Sequence, residues 1–400
     1  MAGLDFRRRR MFSVYAVVIL LVICCCVLSA CDADRGVFDV SGDTVSEPTH
    51  FIAKLMYQLN DNIKVFGWTV IAFTVILKLV LSPLDIWQKV ISRRNAKAME
   101  RMRPQLEALA EKCGDDKQRY QQEQMALYKK EKYSMVGACL PSLVTIIVFI
   151  VLFAGFREMV GYQFAQDYKS AHNVFQTSVN RQLEEEWGVT DISLVDKTAE
   201  NAEKYQNMIS VAQDEVYKFY FAPEQKEARG FLWIHNVFVS DSWVEGVPDY
   251  LVVSGQSGFA MSRITGVMKD EYELVMHKVI GAEEAGWGKG AKWNGWLLLP
   301  VFSVALSFLS QKLLTKSQGA PPPSPNGKSG DSMQANMKMM QYFMPIMIGV
   351  FALFYSAAFA LYTFTSSLVA IVFQLVFTLV GKILDKREAS GKGKFATGRR

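Results

Sequence analysis

Apolar and polar positions in this chain separate into long blocks. Apolar runs fall at 11–28, 63–84, 136–156, 297–314, 341–356 and 361–384, and charged stretches at 85–133, 157–296 and 315–340 divide them. A helix of about 20 apolar residues crosses the ~30 Å hydrocarbon of a bilayer. In lipid the backbone must bond internally, which favours helices. The pattern predicts an all-α polytopic membrane protein with five core transmembrane helices, at 63–84, 136–156, 297–314, 341–356 and 361–384.

The first apolar run reads differently. A four-arginine block, Arg7 to Arg10, precedes it, and Leu28-Ser29-Ala30-Cys31 follows. A basic region, an apolar region and small residues before a cut site describe a cleavable signal peptide over 1–30. The last four residues also resemble the bacterial lipobox, which makes Cys31 the expected lipidation site and gives the mature chain a lipid anchor. The alternative is an uncleaved signal anchor. Residues 31–62 then form an anchored segment, polar at first. Phe51, Leu55, Met56 and Leu59 follow at helical spacing, which predicts a short helix along the membrane surface.

The charged stretches differ in sign. Residues 85–133 hold twelve Lys/Arg against eight Asp/Glu. They read as a helical hairpin, 86–112 and 117–132, with Arg103-Pro104 interrupting the first arm and Cys113-Gly114-Asp115-Asp116 turning between them. Residues 157–296 hold thirteen Lys/Arg against twenty-one Asp/Glu. Helices are expected at 157–187 and 196–221, and an aromatic cluster at 231–234 suits a membrane interface. Residues 250–263 and 271–279 fit strand or helix. The linker 315–340, Pro/Gly/Ser-rich at 319–330, and the tail 385–400 are both basic. The positive-inside rule then places 85–133, the linker and the tail in the cytoplasm and 157–296 outside. The expected topology is a multi-pass plasma-membrane protein with its N-terminus outside.

Candidate chemistry is sparse. Half of the 400 residues are hydrophobic, and the six cysteines show neither metal-ligand nor disulfide spacing. No HExxH, phosphate loop or nucleophile elbow occurs. No metal, cofactor or enzyme activity is expected. His172, His235 and His277 could be assembled with nearby carboxylates into a site on paper, but scattered histidines are usually surface or packed residues. The exception is Lys78, a cation inside the apolar stretch 69–84 that Pro83 closes. A charge there costs about 2.5–3.5 kcal/mol at a helix centre. Lys78 therefore either faces a wet interior or snorkels to the interface. Ser303, Ser307 and Gln311 share one face of the 297–314 helix.

Several stretches resemble, in order, the YidC/Oxa/Alb membrane protein insertases, in the Gram-positive style without a large domain between the first two membrane segments. They are Leu77-Lys78-Leu79-Val80-Leu81-Ser82-Pro83-Leu84; Met102-Arg103-Pro104-Gln105-Leu106 with Met125-Ala126-Leu127-Tyr128-Lys129; Gly137-Ala138-Cys139-Leu140-Pro141; Phe231-Leu232-Trp233-Ile234; Leu298-Leu299-Pro300; Met344-Pro345-Ile346-Met347; and Leu361-Tyr362 leading to Gln374.

The resemblance implies an inserter and folding chaperone without hydrolytic chemistry. Its hydrophilic inner-leaflet groove carries a cation that attracts the acidic part of a nascent segment. Lys78 stands where the family usually has arginine, and Thr145 where it often has glutamine. With those departures the implied groove lining is Lys78, Thr74, Thr145, Ser303, Ser307, Gln311, Thr365 and Ser366. Implied partners are nascent membrane proteins, the Sec translocon, the lipid bilayer and the ribosome, the last through the hairpin and basic tail. The competing reading is a transporter or channel, against which stands the lack of inverted repeats and paired broken helices.

Overall fold

The computed structural model describes residues 36–113, 116–131, 133, 135–191, 198–256, 263–283, 293–318, 346–347 and 349–396. The expected signal peptide, Cys31, most of the 315–340 linker and the start of the 341–356 run lie outside the described residues. The elements are, in order, β1 (Val37–Asp39), α1 (Phe51–Ile63), α2 (Phe66–Cys113), α3 (Lys117–Lys130), α4 (Met135–Trp187), α5 (Ala199–Tyr220), α6 (Pro223–Arg229), α7 (Tyr250–Val253), β2 (Arg263–Thr265), α8 (Lys269–Met276), α9 (Leu298–Gln318) and α10 (Ala357–Ala396). Among the described residues, three helices are long and apolar enough to cross a membrane, within Phe66–Cys113, Ile147–Trp187 and Ala357–Gly381. Leu298–Leu313 is a shorter apolar helix.

Two prolines expected to end or interrupt helices do neither, because α2 runs unbroken through Pro83 and Pro104. A proline lacks the N–H that would bond the carbonyl four residues back. At Pro83 that carbonyl is Leu79, and the Ser82 hydroxyl donates to it at 2.7 Å. At Pro104 it belongs to Glu100, an exposed position. Helix α4 likewise continues through position 157, so the second apolar run and the helix expected at 157–187 are one element of 53 residues.

The chain divides into two compact units. The first comprises Met1–Phe73, Leu143–Leu299 and Ala352–Leu361. Helix α1 starts at the cap His50, whose Nδ1 accepts from the Ile52 N–H at 3.3 Å. The buried Glu158 carboxylate accepts the backbone N–H groups of Thr49 and His50 just ahead of it. A carboxylate at a helix start is favoured by the orphan amides and the helix dipole. Helix α1 buries Ile52, Ala53 and Met56, while Phe51 is 68% exposed. Gly155 of α4 lets Ile52 approach, since a Cβ there would fall 2.6 Å from it.

The stretches that fitted strand or helix contain both. Residues 250–253 are helical, and Arg263–Thr265 is a strand paired in parallel with β1, Phe38 opposite Ile264. The aromatic cluster forms a tight turn in which Phe231 and Ile234 exchange both backbone hydrogen bonds at 2.9 Å. Phe231 and Ile234 are buried and Leu232, in left-handed backbone (φ 54°), is exposed. The Phe231 ring takes the space of a side chain at Gly67, where a Cβ would lie 2.2 Å from it. A cluster of Phe149, Phe153, Phe156, Tyr355 and Phe359 fills the core, with ring centroids 4.7–6.0 Å apart.

A buried loop at 236–241 organises the helix starts of this unit. The Asn294 side chain donates to the carbonyls of Asn236 (2.8 Å) and Ser240 (2.9 Å) and accepts the Asn236 N–H at 2.8 Å. Asp241 accepts the N–H groups of Leu297 (3.0 Å) and Leu299 (2.8 Å) at the start of α9. The first amides of α10 are satisfied by the same loop, Ala357 donating to Val239 and Ala358 to Val237, both at 2.8 Å.

The second unit comprises Thr74–Ser142, Pro300–Phe351 and Tyr362–Arg400. It contains the helical hairpin, where Ala98, Met99, Met102 and Leu106 of α2 bury against Tyr128 of α3, with Leu127 and Tyr133 packed on them. The methionine stripe is thus the hairpin's own core.

Candidate functional site

The site is built in the second unit from α2, α9 and α10. Lys78 is half-buried on α2. One turn earlier on the same face lies Thr74, fully buried. The opposite face carries Ile76 and Val80, both exposed and apolar. This is the asymmetry of a helix with one face to lipid and one to a polar interior. Two turns beyond Lys78 that polar face carries Asp85, and one turn further Lys89. The Lys89 ammonium stands 5.8 Å from the centre of the Phe377 ring on α10.

Helix α9 brings three of the expected residues onto one line. Ser303 is buried, and Ser307 and Gln311 are half-buried, while Val301, Phe302 and Leu309 are exposed. The Ser307 hydroxyl meets that of Ser367 on α10 at 3.0 Å. Buried hydroxyls in an apolar bundle require such partners. On α10, Thr365 is buried and Ser366 half-buried, and Ser366 hydrogen-bonds the Tyr362 hydroxyl. The α10 surface away from these groups is apolar and exposed at Val372, Val376, Leu379 and Val380. The Thr145 side chain lies outside the described residues.

Sequence reasoning missed three members. Asp85 follows Pro83 and reads as the first charge of a soluble hairpin; the continuation of α2 through that proline puts it on the Lys78 face. Tyr362 entered only as part of a motif. Ser367 was passed over for its neighbour Ser366, because nothing in its position along the helix sets it apart.

The histidines have separate surroundings. His172 Nε2 lies 3.6 Å from Glu271, and the His235 amide donates to the Asn294 carbonyl at 3.1 Å. Among the described residues no group of three His, Cys, Asp or Glu could hold a metal. The buried pair of the first unit is Arg229 and Asp167, 3.4 Å apart. Burial pushes the Asp167 carboxyl up, and the Arg229 guanidinium opposes it. The guanidinium is also 3.7 Å from the centre of the Tyr220 ring and donates through Nε to the Gln225 carbonyl at 3.2 Å. Its ties are those of a structural ion pair.

Residues 58–382 match the family described as 60Kd inner membrane protein. The chain belongs to this family. Membership and the three apolar helices make it a membrane protein of the cell membrane. It is 38% identical over 116 residues to the membrane protein insertase YidC of Ectopseudomonas mendocina, covering 29% of this chain and 19% of that protein. It is 40% identical over 99 residues to the Ruegeria pomeroyi protein of the same name, covering 25% and 16%. Against that of Bordetella pertussis it is 42% identical over 99 residues, covering 25% and 17%. The chain thus spans about a fifth of the length of these relatives. The YidC/Oxa/Alb resemblance drawn from the short motifs agrees with the family match.

Proposed function

We propose that the protein inserts and helps fold integral membrane proteins, using the polar tract of α2, α9 and α10 as a hydrophilic groove in the inner leaflet. The observation that carries this reading is the Ser307–Ser367 hydrogen bond between two helices whose exposed faces are apolar at Val301, Phe302, Leu309, Val372 and Val376, in the unit that also holds Lys78. The names of the relatives support it. In this reading Lys78, Thr74, Thr145, Ser303, Ser307, Gln311, Thr365 and Ser366 line the groove. The acidic part of a nascent segment enters from the cytoplasm and is attracted by Lys78. Its apolar part slides into lipid along the exposed faces of α9 and α10, driven by about 25 cal/mol per Å² of apolar area.

The same proposal includes five core spans, an outside N-terminus anchored through Cys31, and a cytoplasmic hairpin and tail. Its partners are nascent membrane proteins and the bilayer, with the Sec translocon and the ribosome as collaborators. The test is insertion of single-span substrates in cells depleted of their own insertase. Lys78→Ala and Lys78→Glu should lower insertion, while Lys78→Arg retains it. Normal insertion by Lys78→Glu at normal protein level sinks the groove-charge mechanism.

A further inference from the structure

We propose that a cleft at the start of α2 is a phospholipid headgroup site, fitted to a zwitterionic phosphoethanolamine group, with Lys226 on the phosphate and Glu227 on the ammonium. The site is separate from the groove and does not rest on it.

The cleft holds about 470 Å³ and lies wholly within the first unit. Small-molecule sites run from about 300 to 1,000 Å³, so the volume suits a headgroup whose acyl chains stay outside. Val65 and Trp68 form one wall, where the apolar stretch of α2 begins. Tryptophan at the end of a membrane helix sits at headgroup level. The cleft therefore lies at the boundary between hydrocarbon and water.

That wall is apolar and open. Trp68 is 55% exposed, and Leu232, in the neighbouring tight turn, is 69% exposed. The Phe231 ring meets the Trp68 ring edge-on, with centroids 5.3 Å apart, which fixes the turn against α2. Leu232 keeps its left-handed backbone, a setting that bulky side chains rarely adopt. The turn thus holds a large apolar side chain outward beside Trp68.

The facing wall is charged. Lys226 and Glu227 are adjacent, exposed residues of α6, and both line the cleft. The Lys226 ammonium stands 5.3 Å from the centre of the Phe221 ring, another lining residue. Arg229 also lines it, but its guanidinium is committed to Asp167, to the Tyr220 carbonyl and to the Tyr220 ring. Beyond that committed arginine, the formal charges among the described lining residues are one cation and one anion, side by side.

A ligand matched to this cleft carries an apolar part, a phosphate and an ammonium close to the phosphate. Phosphatidylethanolamine has all three. Its ammonium donates to a carboxylate, and its phosphate accepts from a lysine. Phosphatidylglycerol offers the phosphate without the cation, and its net negative charge is repelled by Glu227. Lys226 holds the headgroup and Glu227 selects it.

The test titrates the full-length protein, purified in detergent, with phosphatidylethanolamine or phosphatidylglycerol of identical acyl chains. Native mass spectrometry counts the one-to-one complexes. The wild type should bind phosphatidylethanolamine about three- to tenfold more tightly, the range of one solvent-accessible charged contact. Lys226→Gln should weaken both lipids, and Glu227→Gln should remove the preference between them. Leu232→Asn, which suits the left-handed backbone, should weaken both lipids without lowering the melting temperature. Lys54→Gln, at an exposed cation of α1 outside the cleft, should change nothing. Equal binding of the two lipids by the wild type overturns the proposal, as does a preference that survives Glu227→Gln. A loss with Lys54→Gln equal to that with Lys226→Gln also overturns it, because lipid is then drawn by surface charge in general. Soluble glycerophosphoethanolamine should compete poorly, and competition as strong as the lipid's own overturns the assignment to a membrane lipid.

Discussion

Ser82 donates its hydroxyl to the carbonyl of Leu79, the acceptor that Pro83 leaves without an amide. The bond sits between Lys78 and the charged hairpin, and lets one helix join them. Ser82→Ala should therefore cost about 0.5–1.5 kcal/mol. Pro83→Ala restores the missing N–H, so Ser82→Ala in that background should cost close to nothing. A double-mutant cycle by denaturant unfolding in detergent measures the coupling, and full additivity would contradict this account.

Asp241 caps α9 through the amides of Leu297 and Leu299. Asp241→Ala should destabilise the protein by about 1–2 kcal/mol, and Asp241→Asn by less because an amide oxygen still accepts. Gly295 leaves room for this carboxylate, since a Cβ there would fall 1.9 Å from Asp241 Oδ1. Gly295→Ala should reproduce the loss seen with Asp241→Ala and add little to it. Melting temperatures of the single and double variants test both statements.

Burial and the nearby Lys169 hold the His172 imidazole below its ordinary value, with Glu271 opposing them. The folded state then binds fewer protons than the unfolded state below the unfolded pKa of about 6.5. The stability contribution is present above about pH 6.5 and declines as pH falls toward the lower, folded value. His172→Gln should flatten that part of the curve. Thermal unfolding of both proteins from pH 8 to pH 5 checks the sign; a wild type that gains stability on acidification through this window would reverse it.

The Ser307 and Ser367 hydroxyls are 3.0 Å apart, so cysteines at the two positions fall near disulfide range. The Ser307→Cys, Ser367→Cys double variant should crosslink rapidly under mild oxidant. Ser303→Cys with Ser367→Cys, one turn away, should crosslink more slowly. Mobility on non-reducing gels, after cleavage at a protease site introduced within 319–330, reads the result.

Lys78 was legible because a single cation in an apolar run has few explanations. Asp85 was not, because a charge beyond a proline reads as the start of a soluble segment unless the helix is known to continue. Helix periodicity exposed the Ser303, Ser307 and Gln311 line, but only the packing of α9 on α10 gave Ser307 its partner. The continuity of α4 was hidden for a similar reason, since the change from apolar to charged composition at 157 occurs with no break in the helical backbone. The mixed helix and strand of 250–265 depended on pairing with Val37–Asp39, more than two hundred residues earlier, a distance over which local propensity says nothing.

The loop at 236–241 has a consequence for the order of synthesis. Its residues leave the ribosome before any of α9 and well before α10, yet its Asp241 carboxylate and its Val237 and Val239 carbonyls receive amides from both. Translation delivers the receptor first and its two plugs later. Nascent chains stopped short of position 357 therefore lack one set of these bonds, and chains stopped short of 297 lack both. The loop's full set of hydrogen bonds to both helices is therefore available only once the start of α10 has been made.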